Sequence, residues 1–373
     1  MTNLWRSRVA LESLRLLALV RAYLRYRDPR RRQSGRHLTE FHERIWREAA
    51  ERFGANYEPL GYGILEILLD GARVRAVENT CSIDDPVTTT IANNKLLTYR
   101  LLGATGLATP RHTGFSLTDA VKAFAFLESS RRDCVVKPAI GTGGGRGVTT
   151  GIGRGSQLAR AAAAASVYGD ELLIEEQVEG DNYRLLYLDG VLLDAFARKL
   201  PTVVADGRST VAKLVERANA DRLRHGSGLS QVLLTVDLDM RRTLAKQGLS
   251  LRSIPAEGRA VTLKTVINEN RGADNTSATH LLCDSIVEDG ARAARALHIR
   301  FAGIDIITRD PGVPLAESGG VVLEVNATPN LYFHYHKQDG GFPVAVHVLE
   351  RLLAAPSNPD RWLMSEAGDP PVA

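Results

Sequence analysis

Cysteine is scarce: Cys81, Cys134 and Cys283 are the only three in 373 residues, far apart and with no C-x-x-C pair. That excludes a disulfide framework, argues against a structural zinc site, and fits a reducing, cytoplasmic compartment. Long apolar runs are missing too. Near the N-terminus the longest is Leu16–Val20, bracketed by Arg15 and Arg21, too short for a membrane span or an export signal. No G-x-x-x-x-G-K-[ST] motif occurs, no Ser-His-Asp set is evident, and no internal repeat is visible. With 44% hydrophobic and 24% charged residues, collagen-like and disordered classes are excluded as well. A chain of this length is expected to fold around two or three cores.

Charge is unevenly placed. Residues 1–36 hold ten arginines against Glu12 and Asp28, a net of +8, so the remaining 337 residues sum to −4 within a total of +4. The basic character therefore belongs to an arm, and no nucleic-acid role follows for the folded body. At helical spacing Arg8, Arg15, Arg21 and Arg25 fall on one side of that arm and Val9, Leu16, Val20 and Tyr23 on the other. Such a helix could lie on an anionic surface or grip an acidic partner. It could equally dock on the body or on a subunit with its arginines solvated. Asp28-Pro29 followed by Arg30–Arg32 reads as a helix stop and an exposed link.

Beyond the arm the patterns alternate between helix and strand. Residues 37–52 repeat at helical spacing, and "LGYGILEILLDGARVRAV" alternates around Asp70-Gly71, a hairpin turn signal. "NNKLLTYRLLGATGL", 118–130, 157–167 and 284–297 read as helices, and 209–250 as a mostly polar helical stretch. "DCVVKPAI", "ELLIEEQV", 301–308 and 321–325 read as strands, with a second hairpin around Asp189-Gly190. The order is mixed α+β. The proline-bearing residues 354–373 are expected to be a disordered tail.

Chemistry concentrates in two places. "VVKPAIGTGGGRGV" sets Lys137 at a strand end, followed by Gly141, Gly143, Gly144, Gly145, Arg146 and Gly147. Without side chains in the way, backbone N–H groups can approach an anion closely. A P-loop would need its lysine after the glycines, and G-x-G-x-x-G fails at Arg146. What remains is a glycine hairpin with a lysine at its base, able to fold over phosphates; taken alone it could also be a mobile surface hairpin. The second place is the pair of strands "AGIDIIT" and "VVLEVNATP". Asp305 lies inside one, and Glu324 and Asn326 are two apart on the other, hence on one face. Two carboxylates and an amide oxygen form a hard-oxygen set suited to Mg²⁺. Either feature alone has a structural explanation; together they point to nucleoside-triphosphate chemistry.

Those blocks, with "EEQVEGDNYRLL", "DGRSTVAKLVERAN" and "LAKQGLSL", resemble the ATP-grasp superfamily, and more closely the ATP-grasp portion of cyanophycin synthetases, over roughly residues 57–350. The resemblance implies an α+β fold of three subdomains with ATP between two α+β units. Its parts would be a basic helical arm (1–36), an N-terminal subdomain (37–110), a central subdomain with the phosphate loop (111–185) and a C-terminal subdomain with the metal site (186–353).

It also implies residue roles. Lys95 and Lys137 match the two phosphate lysines, and Gly143, Gly144, Gly145, Arg146 and Gly147 the phosphate loop. Glu175 and Val178 match the adenine strand, and Asn182 stands at a ribose position that is usually acidic. Arg184 and Arg198 match arginines facing the phosphates or an acyl phosphate, although Ala197 replaces a glutamate often found beside the second. Asp305, Glu324 and Asn326 match the metal set, and His334 a histidine near substrate. The segment "VINENRG" stands where relatives carry a glycine loop beside the acyl phosphate, so Asn268 and Arg271 are candidates to hold a substrate carboxylate, the latter bidentately.

The implied reaction activates a carboxylate with ATP and Mg²⁺ and passes the acyl group to an amine. The chain shows no counterpart of the Mur-ligase-like domain of cyanophycin synthetases, which suggests a free-standing amino-acid or peptide ligase, expected to be a homo-oligomer. A thiol or hydroxyl acceptor would leave the same residues, and an ATP-binding scaffold is the non-enzymatic reading.

Overall fold

A computed structural model describes residues 7–141, 144–224 and 233–354. Gly143, the middle of the 209–250 stretch and the 355–373 tail lie outside them.

Two helices open the chain, α1 (Arg8–Tyr26) and α2 (Pro29–Arg52). The expected stop at Asp28-Pro29 is there, but the exposed link is not. Asp28 caps α2 by accepting from Arg30 N, and Pro29 occupies the first turn, where its missing N–H costs nothing. Arg30–Arg32 are therefore helical, and α2 runs without a break through residue 36. It packs on a four-stranded antiparallel sheet, β1 (Asn56–Gly61), β2 (Ile64–Leu69), β3 (Ala72–Val77) and β4 (Thr80–Cys81), in that order. Asp70 and Gly71 both take positive φ, 48° and 86°, giving the turn that the alternating pattern requires. Helices α3 (Pro86–Asn93) and α4 (Lys95–Ala104) follow, with Asn94 capping α4 through Leu97 N.

The central unit is an antiparallel sheet of β5 (His112–Phe115), β6 (Cys134–Pro138), β7 (Thr149–Ile152) and β8 (Leu172–Glu176), ordered β5-β8-β6-β7. Helices α5 (Val121–Ser129) and α6 (Gly155–Ala165) cover it through Phe124, Phe126, Leu158 and the alanines of α6.

The remaining residues build β9 (Asp181–Leu188), β10 (Val191–Arg198), β11 (Thr202–Val204), α7 (Val211–Arg224), α8 (Leu238–Lys246), β12 (Ala260–Thr262), β13 (Thr276–Ser277), α9 (Asp284–Ala296), β14 (Phe301–Thr308), α10 (Leu315–Ser318), β15 (Val321–Asn326), α11 (Tyr332–Tyr335) and α12 (Val344–Leu353). Their main sheet is ordered β13-β10-β9-β14-β15, with β11 and β12 as a separate ribbon. One face packs on α9 through Ile286, Ala294 and Leu297. Phe196, Leu186 and Phe301 join instead the core of Phe41, Trp46, Ile67, Val348 and Leu349, so α12 closes the chain back onto α2 and the first sheet.

That shared core holds His42 of α2, 2% exposed. Burial holds the ring neutral and lowers its pKa to about 4, against about 6.5 unfolded. A depressed histidine contributes stability that is complete above its unfolded pKa and is lost as pH falls toward the folded value. Urea unfolding at pH 7 and pH 4.5 should show the loss in stability shrink by about 2.5 kcal/mol in His42→Leu relative to the unsubstituted protein. Equal losses would remove His42 as a source of acid sensitivity.

Candidate active site

Between the central sheet and the β9–β10–β14–β15 face lies a cavity of about 700 Å³. Strand register explains its charged floor. Asp305 on β14 stands opposite Arg184 on β9 and opposite Glu324 on β15, and directly opposed residues of a ladder share a face. Asn326 lies two positions beyond Glu324, and Arg198 lies opposite Asn182. All six line the cavity. Gly303, opposite Asn326, leaves room for this: a Cβ there would meet Arg184 Nη1 at 2.9 Å.

The cations and carboxylates pair across that floor. Arg184 grips Asp305 bidentately, Nη2 donating at 2.8 Å. Burial disfavours the guanidinium charge, but Asp305 outweighs it and the Arg184 pKa rises. Lys95 Nζ lies 3.0 Å from Glu324 Oε1. Burial works against the Glu324 carboxylate too, but Lys95 and Lys137 override it and hold the pKa at about 2. Lys137 Nζ lies 2.8 Å from Glu175 Oε1 and donates to Tyr99 Oη at 3.1 Å. Arg198 has no such intimate carboxylate. Its Nη2 donates to Asn268 Oδ1 at 2.6 Å, its Nη1 is 3.6 Å from Asp305, and its Nε meets no partner among the described residues. Burial lowers its pKa to about 10, so it stays charged at neutral pH.

The roof is the glycine segment. Gly144 and Gly145 line the cavity, and Gly145, at φ 68°, lies against Val266 and Asn268, where a Cβ would fall 2.5 Å from Val266 Cγ1. The loop after β12 and the glycine hairpin therefore meet over the floor. Residues 175–180, Glu175 and Val178 among them, form one side wall together with Asn182.

Several candidates do not reach the cavity. Arg146 and Gly147 are outside its walls; Gly147 packs at the hairpin base, its Cβ position filled by Tyr168 and Pro138. Arg271 is spent on Asp274, 2.7 Å away, with over half of its side chain in solvent. His334 is wholly buried behind the wall, its Nδ1 2.6 Å from Asp194, which also accepts from Lys337. Burial depresses the His334 pKa despite that aspartate. In this structure His334 does not line the cavity, and its contact is with Asp194 of β10.

Residues in and behind the wall add to these candidates, Tyr99 standing behind it. Tyr99 joins Lys137, Glu175 and Leu323 O through one hydroxyl, at 3.1, 2.9 and 2.8 Å. It stands four residues after Lys95 in α4, one turn along the same face, and that spacing was the available signal. Asn79, Asn330 and Phe333 line the far end. Asn79 reaches across from the first sheet to donate to Thr328 O at 2.6 Å, and no sequence pattern marks it.

The donor set suits a hard divalent cation. Asp305 and Glu324 offer carboxylate oxygens, and Asn326 turns its Nδ2 to Gly303 O, leaving Oδ1 as an acceptor. Among the described residues no three His, Cys, Asp or Glu side chains cluster; two acids and an amide rely on further oxygens, as Mg²⁺ sites commonly do. Four cations, a metal-type oxygen set and a glycine-built roof in one cavity suit a transferring phosphoryl group.

No family model matches the chain. It is 30% identical to a cyanophycin synthetase from Nostoc sp. over 304 residues, 79% of this chain and 32% of that one. It is 28% identical to a glutathione biosynthesis bifunctional protein from Clostridium perfringens, over 72% of this chain and 35% of that one. The chain thus spans about a third of the length of the curated relatives it matches. In structure it is similar to a bifunctional glutathione synthetase from Pasteurella multocida, with TM-score 0.51 and 24% identity, over 80% of this chain and 41% of that one; that likeness is one of fold.

Proposed function

The chain belongs to the ATP-grasp superfamily and is similar to the cyanophycin synthetases, and we propose that it is an ATP-dependent carboxylate–amine ligase joining an amino acid or peptide to an amine. The observation that carries this reading is the ladder row Arg184–Asp305–Glu324, flanked by Lys95, Lys137, Arg198 and Asn326 in one cavity.

In this reading adenine lies against the 175–178 wall, and Lys95 and Lys137 face the phosphates. Each lysine already has a carboxylate neighbour, so phosphate binding redistributes existing ion pairs and desolvates no new cation. Asp305, Glu324 and Asn326 would hold Mg²⁺, which supplies charge cancellation on the phosphoryl group. A carboxylate oxygen of the donor attacks the γ-phosphorus as the bond to ADP breaks. Arg184 and Arg198 are placed to stabilise the charge that develops there. The amine nitrogen then attacks the acyl carbon, the C–O bond to phosphate breaks, and the nitrogen gives up a proton. Val266, Asn268 and Gly145, meeting over the floor, exclude the water that would otherwise hydrolyse the acyl phosphate.

The test is ADP and phosphate release with Mg²⁺-ATP over a matrix of amino acids and short peptides, with hydroxylamine as a trap. Hydroxamate formed with one acid identifies the donor, and the amine that raises turnover identifies the acceptor. Absence of ATP binding would overturn the assignment.

A further inference from the structure

Helix α1 has two apolar sides. Leu11, 1% exposed, and Leu14 face the central unit and join the core of α5 and α6, and Arg15 reaches Asp170 at 3.1 Å. On the opposite side Val9, Leu16, Leu17, Leu19, Val20, Tyr23 and Leu24 are all more than 40% exposed, Val9 reaching 78%. Five of them, Val9, Leu16, Val20, Tyr23 and Leu24, fall within an arc of about 100° at helical spacing. Ser13, in the same arc, turns its hydroxyl back onto Val9 O at 2.8 Å, and Glu12 marks the edge. The sequence pattern separates apolar from basic positions, but the side that faces the protein is Leu11 and Leu14, which lie among the arginines and not on the apolar arc. The expected docking face is the one left outside.

We infer that this face seats α1 in an anionic lipid surface, lying along it. Charge selects that occupant. The helix carries four arginines against one glutamate; Arg8 and Arg21 are exposed on either flank of the apolar arc, and Arg27 follows at its end. Apolar residues flanked by arginines match an interface where acyl chains meet negative headgroups. A second copy of the chain is the other occupant such a face could take, and the test below separates the two. Spanning is excluded, since no helix among the described residues is long and apolar enough to cross a membrane. Because Leu11 and Leu14 already tie α1 to α6, the helix needs no rearrangement to present the face.

Flotation of the full chain with vesicles of phosphatidylcholine, with and without about 30% phosphatidylserine, tests this. Binding should require the anionic lipid and fall at least about tenfold between 0.1 and 0.5 M salt. Leu16→Glu with Val20→Glu, at sites 65% and 51% exposed, should lower the apparent affinity about 100-fold while leaving the melting temperature and ATP binding intact. Should that pair disturb the helix, Arg8→Gln with Arg27→Gln should still weaken anionic binding about tenfold through charge alone. No flotation of the unsubstituted protein, or unchanged flotation of both variants, overturns the proposal. So does a dimer that Leu16→Glu with Val20→Glu dissociates without any vesicle binding, which would make the face a self-interface.

Discussion

With glutamine at position 324, ligase turnover falls about 10³-fold, a loss of about 4 kcal/mol of transition-state stabilisation. Glutamine keeps the shape of the side chain and removes only its charge. Glu324 is held ionised to about pH 2, so at any working pH the substitution deletes a full negative charge beside Asp305. The remaining set, one carboxylate and one amide, is a poor ligand for Mg²⁺. Lys95 loses its 3.0 Å partner in a partly shielded setting, which costs about 1 kcal/mol of stability. The protein should stay folded and still bind adenine nucleotide, while the Mg²⁺ concentration for half-maximal rate rises well over tenfold. A turnover within tenfold of the unsubstituted protein, at the same Mg²⁺ requirement, would show that the cation is held elsewhere.

The floor of this site could be read from the sequence because strands have a period of two. Glu324 and Asn326, two apart in "VVLEVNATP", share a face by that period alone, and the register of the pair adds Asp305 from "AGIDIIT", opposite Glu324. The hairpin at Asp189-Gly190 carries Arg184 and Arg198 to one face only with a bulge: the register of its short turn would leave them on opposite faces, and the shift between Leu192 and Asp194 brings them together. What stayed hidden depends on contacts between elements far apart in sequence. Asn79 enters the wall because the first sheet leans on the loop after β15, and nothing local encodes that approach. Arg271 is a candidate for a substrate carboxylate by residue type and place in "VINENRG", but Asp274 lies three residues on and satisfies it locally. His334 followed the resemblance, and only the packing of α11 against β10 shows it enclosed with Asp194 and Lys337. At Asp28-Pro29 one motif carried two signals, a stop for α1 and a cap for α2. An arginine run says nothing about which prevails, since arginine is a good helix former.

Replacing Arg198 by alanine separates transition-state stabilisation from nucleotide binding. Among the four cavity cations it is the one whose nearest carboxylate, Asp305, is already claimed by another guanidinium, and its Nε is buried with no partner among the described residues. A buried donor left unsatisfied is costly, and the cost is recovered when an anion arrives. Phe333, with the Arg198 Cζ 5.8 Å from its ring centre, and Asn268 fix the group in place, so little reorganisation is needed as charge develops. The alanine variant should therefore lose about 10²–10³-fold in kcat, while KM for ATP shifts less than about threefold, because Lys95 and Lys137 still face the phosphates. Hydroxamate yield should fall in parallel with amide yield, which places the defect at acyl-phosphate formation and not at amine attack. Lysine at 198 should restore only part of the rate, since an ammonium cannot reproduce the planar fork that meets two oxygens at once. A large rise in KM for ATP with kcat unchanged would instead make Arg198 a nucleotide-binding residue and leave Arg184 as the group that stabilises transfer.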